Sequence, residues 1–314
     1  MVKIGFVMEE LWVGGGPRNV YTLSELLRKD GIESFVISLT DQSKLFGIET
    51  KLPRENKRAL IPLEPFSSLN LISIGMASKV SSLFLPLQFV LGSSSLFSVE
   101  RFDAYIATAW TTLYPVISVS KIKKAVPLYF IQAYETEFSV RKLRRILANR
   151  TYTYPVVKFT HSRWVKKLLD LFFPSTSYYI GMGINHKVFY PKESIPFKHQ
   201  VLTIARCGRD KGFDIFVKSI NYLRKIRQDF NVVIIGERKA LESEMMNFPY
   251  VFKGWISSDL QLADLYRESV FVNTGRWEAL PMPPLEAMAC GSAVVMTNMQ
   301  GAREYAKDHY NCIL

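Results

Sequence analysis

Cysteine is scarce in this chain: Cys207, Cys290 and Cys312 are an odd number of thiols with no CxxC spacing. That excludes a disulfide framework and a zinc-finger arrangement, and it points to a reducing compartment. Histidine is scarcer in effect. His161, His186, His199 and His309 sit in no H-E-x-x-H pattern and in no Ser/His/Asp arrangement, and the chain has no Asp-x-Asp metal motif. Metal-assisted hydrolysis and triad chemistry therefore have no candidate residues, and these histidines are expected to be structural or exposed. No apolar h-region precedes the first predicted strand, so a cytoplasmic location without a secretory signal is expected. Long apolar runs are also missing. The uncharged stretch from Val80 to Val99 carries seven Ser/Gln residues plus Pro86 and Gly92, which makes it a poor membrane-spanning helix and a better buried or interfacial segment. No internal repeat or low-complexity tract breaks the pattern.

What is present is an ordinary globular composition, 48% hydrophobic and 22% charged. A length of 314 residues suggests two domains. The net charge of +12 implies an anionic partner: nucleic acid, membrane or a phosphorylated small molecule. Residues 1–155 hold 19 Lys/Arg and 13 Asp/Glu, and residues 156–314 hold 21 and 15, so each half comes to +6. Charge spread this evenly, with no recognition motif, argues against nucleic acid. The tightest cluster is Arg141, Lys142, Arg144, Arg145 and Arg150, several of which share a helix face. It reads either as a solvated face or as a peripheral contact with an anionic membrane, at ~1 kcal/mol per cation near the surface.

Strands and helices alternate in both halves, which predicts an α/β chain of two Rossmann-like domains, 1–192 and 199–314, joined by a linker at about Lys192 to His199. In the first, Val2 to Met8 reads as a strand and Gly14, Gly15, Gly16 and Pro17 as a turn. Asn19 then caps a helix whose apolar face is Val20, Leu23, Leu26 and Leu27, and Ser34 to Leu39 is the next strand. A glycine loop between strand and helix is the setting in which such loops meet phosphate, although three consecutive glycines do not match G-x-G-x-x-G, and a flexible turn is the other reading. Strands are also expected at Asp103 to Ala109 and Val126 to Gln132. In the second half, Val201 to Ala205, Asn231 to Gly236 and Ser269 to Asn273 read as strands. Gly212 to Arg227 reads as a helix with Phe216, Ile220 and Leu223 inward, and Ser258 to Gln261 as a capping box.

The most informative stretch runs from Glu278 to Gly291. Two carboxylates, Glu278 and Glu286, are separated by seven residues, with Pro281, Pro283 and Pro284 between them and an Ala-rich helix start following. Pro283 and Pro284 suit the first positions of a helix, where a missing N–H costs nothing. Glu286 is then expected in the first turn, where the helix dipole favours a carboxylate. Glu278 falls on the loop entering that helix, near the carboxyl edge of the sheet.

This stretch resembles the E-x(7)-E signature of retaining, nucleotide-sugar-dependent glycosyltransferases with the GT-B fold, family four in particular. Ala205-Arg206-Cys207-Gly208-Arg209-Asp210-Lys211-Gly212 resembles that family's G-R…K-G motif, with Ala205 in place of a glycine. The resemblance implies two Rossmann-like domains facing across a cleft. It implies that Glu286 holds the ribose of a nucleotide-diphospho-sugar and Glu278 the donor sugar, while Arg206 and Lys211 bind the diphosphate. Arg209 stands as a third contact or a decoy. Gly14, Gly15 and Gly16 would approach the donor closely. Ile256, in a turn similar to the family's nucleobase turn, and Leu280 would flank the nucleotide, with Glu237 bordering the same cleft. No metal and no cofactor beyond the donor itself is implied.

Ala107 to Thr112 and Tyr129 to Glu135 are similar to segments of bacterial polysaccharide rhamnosyltransferases. Ala133 stands where those enzymes have Asp, and Trp110 or Thr111 where many family members have His. His161 to Val165 resembles the family's turn at the end of the first domain, Gly181 to Pro191 its interdomain junction, and Asn311 to Leu314 a strand after which relatives add return helices. The function implied is a transferase moving a hexose or deoxyhexose to a glycan or lipid-linked acceptor, by front-face retention. The rival is a non-catalytic relative that binds a nucleotide or glycan as a partner protein.

Overall fold

The computed structural model describes residues 1–9, 15–40, 58–63, 66–76, 96, 99–138 and 142–314. Gly14, most of the uncharged stretch and Arg141 lie outside the described residues. The chain divides into two compact units, Met1–His161 with Val165–Ile180, and Ser162–Trp164 with Gly181–Leu314.

The first unit contains strands β1 (Lys3–Met8), β2 (Glu33–Thr40), β3 (Arg58–Leu63), β4 (Phe66–Met76), β5 (Ala104–Ala107), β6 (Val126–Phe130), β7 (Val157–Thr160) and β8 (Ser177–Tyr179). They form one sheet in the order β3-β4-β2-β1-β5-β6-β7-β8, parallel throughout except for the antiparallel β3–β4 pair. All four β5 residues and the last four residues of β1 are buried, as expected of strands covered on both faces. The order reverses between β1 and β5.

Helix α1 (Gly15–Lys29) begins earlier than its residues suggest. Gly15, Gly16 and Pro17 occupy its first turn instead of a loop. Asn19 is the fifth helical residue, buried instead of capping. The cause is that the missing N–H of Pro17 falls among the four N–H groups that have no helical partner anyway. Val20 is buried as expected, whereas Leu26 is exposed.

Further α-helices among the described residues of the first unit are α2 (Trp110–Lys123), α3 (Lys142–Tyr152) and α4 (Arg163–Phe172), whose first two residues group with the second unit. Glu135 ties α2 to the sheet. Its carboxylate accepts the Trp110 N–H at 2.7 Å and the Tyr129 hydroxyl at 3.0 Å.

The second unit contains β9 (Gln200–Ala205), β10 (Asn231–Gly236), β11 (Val251–Phe252), β12 (Ser269–Asn273) and β13 (Val294–Met296), in the order β11-β10-β9-β12-β13 and all parallel. Helices α5 (Phe213–Ile226), α6 (Arg238–Glu242), α7 (Asp259–Arg267) and α8 (Met282–Ala289) connect them. One core holds Phe213, Phe216, Ile220 and Ile234, and another Leu202, Tyr266, Phe271 and Ala287. Leu223 of α5, expected inward, is exposed. The Ser258 hydroxyl accepts the Gln261 N–H at the start of α7, as the capping pattern requires. The order reverses between β9 and β12, so a crevice opens at their carboxyl ends, where open α/β sheets bind ligands.

Burial pushes the Glu135 carboxyl up from the usual 4.5 to about 7, overcoming the two hydrogen bonds it accepts. A raised carboxyl pKa means that the folded state favours the proton. The stabilisation is complete below about pH 4.5 and is lost as pH rises toward about 7. Glu135→Gln should flatten that slope, gaining up to ~3 kcal/mol over wild type at pH 8 relative to pH 4. Denaturant unfolding of both proteins at the two pH values checks it, and parallel pH profiles would contradict it.

Candidate functional site

The site is built on two loops, one following β9 and one following β12. After β9, Arg206 leaves the sheet and the chain passes through a 3₁₀ turn, Arg209–Lys211, to Gly212, where α5 starts. After β12, the Asn273 carboxamide oxygen accepts the Gly275 N–H at 2.9 Å and turns the chain toward the first loop.

The two loops are then fastened. The Thr274 hydroxyl donates to the Gly212 carbonyl at 2.8 Å, and the Arg276 N–H donates to the Asp210 carbonyl at 2.7 Å. The Arg276 guanidinium forks onto both Asp214 oxygens at 2.6 and 2.7 Å and reaches the Arg209 carbonyl at 2.7 Å. The Arg276 bond holds the Asp214 carboxyl at about 2, below the usual carboxylate range.

Gly212 makes the approach possible. Its φ is +65°, and a Cβ there would lie 1.9 Å from the Thr274 carbonyl oxygen. Gly301 does the same behind Glu278. It lies in a 3₁₀ turn, Gln300–Glu304, and a Cβ would come within 2.3 Å of the Glu278 and Ala279 carbonyl oxygens.

This scaffold brings Arg206, Lys211 and Glu278 to one open crevice, lined also by Asn273, Thr274 and Pro283. The Lys211 ammonium lies 3.2 Å from Glu278 and 3.3 Å from Asp210. The Arg206 guanidinium has no ion pair among the described residues. It stands 6.0 Å from the centre of the exposed Trp255 ring. Arg209 points elsewhere: its side chain is exposed and does not line the crevice.

Glu286 corrects one expectation. Because α8 begins at Met282 with Pro283 and Pro284 as its second and third residues, Glu286 is the fifth, in the second turn. It is buried and accepts the Tyr266 hydroxyl at 3.3 Å, and it is not among the residues lining the crevice. Ile256 and Leu280 are half-buried and do not line it either; Ile256 packs on the core beneath. Glu237 accepts the Cys207 N–H at 3.0 Å, steadying the backbone beside Arg206. Gly15 and Gly16 belong to the first unit, at the start of α1.

Two contributors were not legible beforehand. Arg276 lies 62 residues from Asp214, with no pattern linking them. Tyr305 donates to the Pro281 carbonyl at 2.5 Å and fixes the entry to α8; burial, then the nearby Glu278 charge, raises its pKa. Among the described residues, no group of three or more His, Cys, Asp or Glu is arranged to hold a metal ion.

Gly212→Ala must force a left-handed alanine against a backbone oxygen, so a loss of about 2–4 kcal/mol is expected. Arg276→Ala removes an ion pair about one-third exposed and should cost nearer ~1 kcal/mol. Urea unfolding ranks the two; equal losses would contradict the primacy of the Gly212–Thr274 approach.

Residues 191–314 match the family model of glycosyl transferases group 1. The lipopolysaccharide core biosynthesis mannosyltransferase LpsB of Rhizobium meliloti is 33% identical over 139 residues, covering 37% of this chain and 39% of that protein. An N,N'-diacetylbacillosaminyl-diphospho-undecaprenol alpha-1,3-N-acetylgalactosaminyltransferase of Campylobacter jejuni is 31% identical over 148 residues, covering 42% and 38%. The chain thus spans about two fifths of the length of these curated relatives. Among solved structures, Anabaena HepE in complex with UDP and glucose superposes with a TM-score of 0.73 at 14% identity, over 100% of this chain and 85% of that one. Sucrose-phosphate synthase from Thermosynechococcus elongatus gives 0.76 at 14%, over 100% and 86%. The fold is the GT-B fold, and residues 191–314 are similar to the glycosyl transferases group 1.

Proposed function

We propose that this protein is a retaining glycosyltransferase that moves a hexose or deoxyhexose from a nucleotide-diphospho-sugar to a glycan or lipid-linked acceptor. The observation that carries the reading is the meeting of Arg206, Lys211 and Glu278 in one crevice at the carboxyl ends of β9 and β12. The names of the curated relatives and the UDP held by the Anabaena structure support a nucleotide-sugar donor.

In this reading Arg206, which has no ion pair among the described residues, forks onto the diphosphate, while Lys211 adds a compact point charge. Both are fixed before reaction, so they stabilise the charge that grows on the leaving diphosphate without reorganising. Glu278 receives hydroxyls of the donor sugar, and the nucleotide ribose lies toward α8, the helix that carries Glu286. The sugar's C1–O bond to phosphate breaks as a C1–O bond to the acceptor forms on the same face. A leaving phosphate oxygen takes the acceptor's proton, so the reaction needs neither a side-chain nucleophile nor a metal.

Thermal-shift measurements with UDP, dTDP, GDP and ADP test the reading. At about a hundredfold excess over Kd a true ligand adds ~2.7 kcal/mol of stability. One nucleotide should give that shift, and Lys211→Ala should lose roughly 1.5–3 kcal/mol of its binding. Glu278→Ala should keep or improve diphosphate affinity, since it frees Lys211 from a competing carboxylate, and should abolish transfer. No shift with any nucleotide, or an unchanged one in Lys211→Ala, would overturn the assignment.

A further inference from the structure

The loop that carries Glu278 is held from behind, and one of the holds comes from a distant part of the chain. Residues Ser162–Trp164 follow β7 and open α4, yet they group with the second unit. The Ser162 side chain is fully buried, and its hydroxyl donates to the Ala279 carbonyl at 2.7 Å across 117 positions of sequence. Two residues on, the Trp164 ring meets the Trp277 ring edge to face, with centroids 5.3 Å apart. Between them the Arg163 N–H donates to the Glu304 carboxylate. Glu304 closes the 3₁₀ turn whose Gly301 lies against the Glu278 and Ala279 carbonyl oxygens.

These contacts bracket Glu278. Trp277 precedes it and Ala279 follows it, so both of its neighbours are fixed, and its own carboxylate faces the crevice and Lys211. The cations are held differently. Their loop is fastened through Gly212, Thr274 and Arg276, an arrangement built without residues 162–164. Separate contacts thus place the two sides of the crevice, one set for the charges and one for the carboxylate. The Ser162 bond also has no apolar substitute. Without the hydroxyl a buried carbonyl is left unpaired, and the loop relieves that cost only by moving.

From this geometry we infer that Ser162 and Trp164 are positioning residues for Glu278, acting on its loop without touching substrate. The inference rests on the proposed glycosyl transfer, in which Glu278 receives the donor sugar's hydroxyls. A carboxylate displaced by about 1 Å no longer meets those hydroxyls at hydrogen-bonding geometry, while the diphosphate still meets Arg206 and Lys211. Loss of either hold should therefore be felt in the sugar part of the donor and not in the diphosphate part.

Ser162→Ala and Trp164→Leu in the whole chain test it. Deuterium uptake should rise in segment 276–282 and stay at the wild-type level in segment 206–212. The nucleoside diphosphate that shifts wild type, among UDP, dTDP, GDP and ADP, should bind both variants with unchanged Kd. Its nucleotide sugar, drawn from UDP-glucose, dTDP-rhamnose, GDP-mannose and ADP-glucose, should bind them about tenfold more weakly than wild type, the loss of a charge-assisted hydrogen bond. Trp164→Phe keeps an aromatic ring against Trp277 and should restore most of that affinity. Unchanged uptake in segment 276–282, or raised uptake with undiminished nucleotide-sugar affinity, would overturn the inference. So would equal losses for diphosphate and nucleotide sugar, the mark of a merely structural role. A wild type that no nucleoside diphosphate shifts is a different failure: it sinks the nucleotide reading, and the positioning role with it, before any variant is made.

Discussion

The close approach of Gly212 to the Thr274 carbonyl is the constraint on which the site depends. Parallel strands β9 and β12 end side by side, but a shared sheet edge does not bring the loops beyond it into register. Contact at a backbone oxygen does, because a position without a Cβ lets the start of α5 sit directly against the other loop. The Arg276–Asp214 fork and the Arg276 N–H bond then tie the same two loops together. Lys211 and Glu278 are adjacent residues of these loops in space and 67 positions apart in the chain. Their pairing is a consequence of the fastening rather than its cause.

The fastening sets the electrostatics. Lys211 faces two carboxylates, Asp210 and Glu278, while the Arg206 guanidinium has no ion pair among the described residues. An anion entering the crevice therefore meets one uncompensated cation and one whose carboxylate contacts it must displace. In the proposed reading a ligand has to offer Glu278 something in exchange, which sugar hydroxyls beside a diphosphate would do and a bare anion would not.

Much of the second unit was legible because its strands are short apolar runs, of which Asn231–Gly236 is buried from its second residue on. Asn231–Gly236 and Ser269–Asn273 emerge with the expected bounds. Arg206, Lys211 and Glu278, which line one crevice, were singled out by the resemblance of their segments to the G-R…K-G and E-x(7)-E patterns and not by any local geometry. Helix starts were read less well, and for one reason. Pro17 was read as part of a turn and Pro283 and Pro284 as the first helical positions, yet Pro17 is the third helical residue and Pro283 and Pro284 the second and third, where the missing N–H is harmless. That error moved Asn19 from a cap to a buried position and Glu286 from the first turn to the second. The Arg276–Asp214 fork and the Tyr305 bond to Pro281 had no local signature, because each joins segments that only the fold brings together.

The central claim is that the crevice between the ends of β9 and β12 is a diphosphate site. A crystal structure of the whole chain with its tightest-binding nucleoside diphosphate tests this most directly. The account predicts diphosphate oxygens within hydrogen-bonding distance of the Arg206 guanidinium and the Lys211 ammonium, with the ribose toward α8. A diphosphate held by other residues, with the Lys211–Glu278 pair untouched, would contradict it.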